Sequence, residues 1–207
     1  MKVYIGDNVI KDAIRCHPYD GSAYGTEERY YDFKKQPELI PVALEDYKKW
    51  NNQEAVQLFY VLLKWLNGNG SLFESNDCAF RPPHPNNNAQ FPKKLQCEGR
   101  LMIFLRKLHI NTFSHSMQLL EDGIVTRLNL IDPHFEWGCI AVSLAETAYL
   151  ELNVPHDKKV GHEVVMNFWA WGDDEHEAWL NLKRVIANMF RCLKDVAEKV
   201  NRGKVKL

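Results

Sequence analysis

Between Ala178 and Val200, apolar residues including Trp179, Leu182, Val185, Ile186, Met189, Leu193 and Val196 recur at intervals of three and four. This pattern constrains the fold more than any other in the chain. A helix with one long apolar stripe must bury that stripe against another layer. Asp173, Asp174 and Glu175 stand at its start and Lys194 and Lys199 near its end, the arrangement the helix dipole favours. The covering layer is predicted just upstream. From His162 to Trp171, Val164, Met166 and Phe168 alternate with Val165, Asn167 and Trp169, which is the period of a strand. Ile140, Val142 and Leu144 alternate in the same way within a second strand at 139–152, and the turn residues 153–161 suit a hairpin-like return. Residues 124–130, after the turn-like Glu121-Asp122-Gly123, read as a third strand. Strands followed by a covering helix predict an α+β fold: a mainly antiparallel sheet covered by helices, the long C-terminal amphipathic helix among them.

The remaining elements are read more locally. Lys2–Ile5 reads as an edge strand, after which Gly6-Asp7-Asn8 can turn the chain or cap a short helix to about Cys16. Residues 17–36 have no steady period, yet Tyr19, Tyr24, Tyr30, Tyr31 and Phe33 are too apolar for a solvated tether, so this irregular segment should pack. Pro41–Trp50 makes a short helix, and Gln53–Leu66 a second one, in which Val56, Phe59, Leu62, Leu63 and Leu66 share a face and Asn67-Gly68-Asn69-Gly70 ends the element. The run Leu101–Leu105 satisfies a buried strand and a buried helix alike; 95–110 is read here as a helix to about His109. The basic tail 202–207 is read as frayed. With 207 residues and 45% hydrophobic composition, the expectation is a single globular domain over 1–207.

Composition bounds the function classes. Lys and Arg number 26 against 27 Asp and Glu, so there is no long-range attraction for nucleic acid or an anionic membrane. The start Met-Lys-Val-Tyr-Ile-Gly-Asp does not have the pattern of a secretory signal, and no apolar run approaches the roughly 20 residues of a membrane span. Five cysteines at positions 16, 78, 97, 139 and 192, without a CxxC pair, read as reduced thiols of a cytoplasmic protein. Eight histidines lack metal-ligand spacing, and neither GxGxxG nor GxxxxGK[ST] occurs, so no metal and no cofactor is implied. Arg127 and His134 have a spacing like that of arginine–histidine pairs in some RNA-cleaving helical domains, but the strand-and-turn reading of 128–133 opposes that use.

The densest cluster of reactive side chains is residues 74–86, Glu-Ser-Asn-Asp-Cys-Ala-Phe-Arg-Pro-Pro-His-Pro-Asn, within a proline-rich loop expected over 74–93. Its prolines oppose helix and inner strand alike, and ordered loops tend to carry function. A catalytic use would make Cys78 a thiolate nucleophile, with His84 or a distant histidine as base and Asp77 and Arg81 as orienting groups. The binding use draws instead on Asn76, Arg81 and His84, together with Trp171. In Phe168-Trp169-Ala170-Trp171 the two indoles are expected on opposite faces, Trp169 in the core and Trp171 at the surface beside Gly172. No complete catalytic motif is present, whereas Tyr, Trp and Arg, which dominate interfaces, are plentiful. The leading expectation is therefore a soluble cytoplasmic interaction or inhibitory protein with a protein partner. A small cysteine-dependent hydrolase or transferase using Cys78 is the alternative, and nucleic-acid processing comes third.

Overall fold

In the computed structural model, residues 1–7, 15–18, 31–155 and 158–203 are described. Six strands form one sheet: β1 (Lys2–Ile5), β2 (Arg15–His17), β3 (Phe73–Pro85), β4 (Leu95–Leu105), β5 (Gly138–Tyr149) and β6 (Val160–Gly172). The order is β1-β5-β6-β4-β3, and β2 also pairs with β5. The three contacts among β3, β4, β6 and β5 are antiparallel. Both β1 and β2 run parallel to β5, β1 along Cys139–Val142 and β2 along Thr147–Tyr149, so they follow one another on the same side of that strand. The sheet is therefore mixed, which corrects the expectation of a mainly antiparallel one; the parallel pairings join segments more than a hundred residues apart and have no local signature.

The helices are α1 (Ile40–Ala43), α2 (Glu54–Asn67), α3 (Ser114–Leu130) and α4 (Glu175–Asn201). One buried cluster joins Leu62 and Leu63 of α2, Ile124 and Leu128 of α3, and Leu182, Ile186 and Met189 of α4 to Ile140, Val142, Met166, Phe168, Leu101 and Ile103 of the sheet. The residues alternating with these sheet positions face away from the helices. At the centre of the helix-covered face, Phe168 sits opposite Gly99. A Cβ on Gly99 would lie 2.2 Å from the Phe168 ring, so only glycine admits that ring. Asp174 caps α4, accepting the Glu177 N–H at 2.8 Å.

The expectations for α2, β1, β5, β6 and α4 agree with these elements. Residues 124–130 are instead the last turns of α3, whose buried Met117, Leu120, Glu121, Ile124 and Leu128 recur at three and four. Residues 95–105 are strand β4 rather than helix, because alternate side chains are buried on both faces. Residues 74–85 are an edge strand rather than a loop. Pro82 and Pro83 fall within its register shift between Arg81 and His84, where the ladder does not need their missing N–H. Arg15 and Cys16, at the end of the short helix expected there, belong to strand β2 instead; the rest of that helix and most of the irregular segment fall on residues 8–14 and 19–30, outside the described residues, as does the tail from 204.

Leu182 is completely buried between α4 and the sheet. Leu182→Ala should cost about 2–5 kcal/mol in chemical denaturation, the range for emptying a packed site; a loss below about 0.5 kcal/mol would contradict the layer arrangement.

Candidate functional site

The face of the sheet turned away from the helices carries a group of buried polar residues, His17, Glu74, Thr147 and Glu163 among them. Its starting point is a bulge. Ser75 pairs with Ile103 and Cys78 with Leu101, so Asn76 and Asp77 together stand opposite the single residue Met102. A bulge of this kind re-aims side chains, and both residues reach across the open face. The Asn76 amide donates to Glu163 Oε2 at 3.0 Å, while its carbonyl oxygen lies 3.3 Å from His17 Nδ1. That oxygen can only accept, so Nδ1 carries the proton. Asp77 Oδ2 accepts from Arg15 at 3.0 Å and from Arg100 at 2.6 Å. Arg15 also approaches Met102 Sδ at 3.1 Å. Strands β2, β3, β4 and β6 thus meet in one network.

Glu163 is fully buried. Burial, as the largest cause, raises its carboxyl to about 7, against the opposing pull of the Asn76 amide, the Thr147 hydroxyl and the Arg15 charge. Burial also lowers His17, which is 2% exposed and lies against the Phe104 ring at 4.3 Å. The arrangement thus holds a neutral imidazole, one ion-paired carboxylate and one carboxyl whose charge is set near neutrality. Groups of this kind can take up or release a proton near pH 7.

The remaining candidates lie elsewhere. Cys78 packs against the helix-covered core, and desolvation pushes its thiol up to about 12. His84 pairs with Gln96 on the opposite face, its Nδ1–H donating to the Pro82 carbonyl at 2.9 Å while Nε2 accepts from the Gln96 amide at 3.1 Å. The fold therefore does not bring sulfur and imidazole together, and Asp77 is committed to two arginines. Arg81 is exposed and pairs loosely with Glu98 at 3.6 Å.

The reading of Trp171 as a surface residue is corrected. Strand β6 continues to Gly172, so its period of two puts Trp169 and Trp171 on the same face rather than opposite ones. Trp171 is 2% exposed beneath Phe91, ring on ring at 3.7 Å and 5°. Trp169 is the half-exposed indole. The covering residue comes from a loop 80 positions upstream, which strand periodicity does not reveal.

Arg127 does lie on a helix, contrary to the strand reading, but it is ion-paired with Asp195, and His134 sits exposed beyond the helix end. With Glu198, Lys199 and Arg202 these α3 and α4 residues line a shallow pocket of about 280 Å³. Among the described residues no group of His, Cys, Asp and Glu is placed to hold a metal ion, and no helix is long and apolar enough to cross a membrane.

With its thiol held protonated, native Cys78 should react with iodoacetamide at pH 7.5 no faster than Cys97 and Cys192, whose thiols burial also raises. Peptide mapping that found selective labelling of Cys78 would restore it as a nucleophile. No known protein family, no curated protein and no solved structure matches the chain.

Proposed function

We propose that the chain is a binding protein that engages a protein partner through the open face of its sheet beside β3. One observation carries the reading. Trp169, Glu98 and Arg81 stand in register across β6, β4 and β3, with Asn167, Arg100 and Ala79 in the next row, on the face without described helices. Every residue of these two rows is half-buried or exposed. A half-exposed indole whose own row ends in Arg81 and whose next row holds Arg100 has the composition of interface anchors rather than of solvated sheet. The surface is pre-formed, because its side chains stand on paired strands, and pre-formed surfaces lose less entropy on binding. Relative to the surface expected from sequence, Arg81 and His84 remain and Trp169 takes the place of Trp171.

The charge pattern favours protein over nucleic acid. Arg81 faces Glu98, and Arg15 and Arg100 share Asp77, so the rows form no basic stripe along which a phosphate backbone would run. The five cysteines are all free, four of them buried, which supports work in a reducing compartment such as the cytoplasm. Against the cysteine-dependent reading, His84 is turned to the face opposite Cys78, and burial disfavours the thiolate at neutral pH.

Trp169→Ala and Arg81→Ala should each weaken capture of the partner about tenfold, equivalent to about 1.4 kcal/mol. Leu180→Ala, an exposed position on α4, should bind as wild type. The measurement is affinity capture with quantitative mass spectrometry, run beside melting curves that establish folding. Retention of the partner by both variants, or its loss only in Leu180→Ala, would move the interface off this face.

A further inference from the structure

Strand β1 forms, with the three-residue β2, the margin of the sheet opposite β3, and among the described residues no strand lies beyond it. The parallel ladder lays out its edge. The Gly6 N–H donates to the Val142 carbonyl at 2.7 Å, and along a parallel strand alternate residues turn their N–H and C=O to the same neighbour. Lys2, Tyr4 and Gly6 therefore bond to β5, while the N–H and C=O groups of Val3 and Ile5 point outward. The side chains beside these groups are apolar and open, Tyr4 being 51% and Ile5 63% exposed. Lysine often guards such an edge. Here the Lys2 ammonium is laid back over the Phe91 ring, 4.8 Å from its centroid, and leaves the edge clear.

We propose that β1 pairs antiparallel with β1 of a second copy of this chain, across a two-fold axis at Tyr4, and so joins two sheets into one. The pairing stands apart from the reading of the open face as a binding surface.

The register follows from which groups are free. Only Val3 and Ile5 have outward N–H and C=O groups, so the strand satisfies itself when Val3 faces Ile5 of the second copy and Ile5 faces its Val3. Tyr4 then meets its own counterpart in a non-hydrogen-bonded pair, with Cα atoms about 4.5 Å apart and the two rings on the same face. The charges agree with this direction. Lys2 and Asp7 are both exposed at opposite ends of the segment. Antiparallel pairing sets Lys2 opposite Gly6 of the second copy and beside its Asp7, whereas parallel pairing would set lysine beside lysine and aspartate beside aspartate. On the helix-covered face, where Val3 packs into the core, Ile5 gains an apolar neighbour in Val3 of the second copy.

The contact closes on itself. A two-fold axis uses the same patch on both chains, and β3, the other outer strand, breaks its ladder at two register shifts, so it has no continuous edge to offer a third copy. Because the axis between antiparallel strands stands perpendicular to the sheet, both open faces look the same way. Two Trp169 rows on one surface would engage a partner with two sites together rather than singly.

The purified chain is its own probe. Sedimentation equilibrium should show the average mass rising from one chain toward two as the concentration is raised to about 1 mM. Ile5→Pro removes an outward N–H that the ladder with β5 does not use, and it should weaken the association about tenfold or more with the melting curve unchanged. Under diamide, Tyr4→Cys should form a disulfide across the axis several times faster than Ile5→Cys, whose mate is Val3, since only the first brings like positions within about 7 Å. Wild type, with four of its five cysteines buried, sets the background. A single-chain mass at every concentration would overturn the proposal, and a segment of some other protein as the occupant of β1 would give that result. Undiminished association in folded Ile5→Pro would overturn it too. Should that variant not fold, the cross-link decides: Ile5→Cys linking as fast as Tyr4→Cys excludes this register. None of these outcomes bears on Trp169 and Arg81, whose capture experiment is read separately.

Discussion

Phe168 crossing Gly99 is the contact on which both faces of the sheet depend. Because β4 has no side chain at that point, the ring can lie against the strand, and any other residue at Gly99 would be driven into it. The crossing pins β6 to β4 in one register. A slip of one position would turn Val164, Met166 and Phe168 out of the helix-covered core and send Glu163, Val165, Asn167 and Trp169 into it. The apolar stripe of α4 enforces the same choice from the other side, since Leu182, Ile186 and Met189 share one buried cluster with Val164, Met166 and Phe168. Packing on one face thus decides which polar groups appear on the other.

The open face is not uniform. Trp171, Phe91 and Cys139 form a dry patch at one end, and Met102, Ala145 and Val165 form another. Between and beside them lie Glu98, Arg100, Asn167 and Trp169, partly accessible, and the buried network around Asn76. A buried polar group without a partner costs about 1–3 kcal/mol. Keeping Glu163 Oε1 and the Arg100 Nε atom in such positions therefore lowers stability in a place where aliphatic side chains would fit a sheet interior. Stability alone gives no reason for that choice.

The elements legible in the sequence are those whose burial is one-sided and local. In α2, α4, β5 and β6 each residue's neighbours along the chain report the face it occupies. Strand β4 defeated that logic because Leu101 and Ile103 face the helices while Met102 and Phe104 are buried on the other side. Helix α3 was obscured by Gly123 and by a buried Glu121 within its inner face, leaving only 124–130 apolar enough to notice. The proline-rich segment stood out in the sequence for its reactive side chains, Asn76 and Asp77 among them, but its place as an edge strand depends on its pairing with β4 on one side only. Glu163 could not be picked out at all: its partners sit at positions 76 and 147 and the linked imidazole at 17, and nothing in the alternating run around it sets it apart from a solvated strand glutamate.

The prolines of β3 have a consequence at the margin of the sheet. An outer strand normally presents a row of open N–H and C=O groups that another extended chain can join, whether as a ligand or as the start of an aggregate. Here the ladder is interrupted twice, between Ser75 and Cys78 and between Arg81 and His84, and Pro82, Pro83 and Pro85 have no N–H to give. Strand addition at this margin is blocked beside the very residues that offer the most contact chemistry. Anything recognised there has to be read by side chains, and the same interruption guards this margin against stacking edge to edge with further copies.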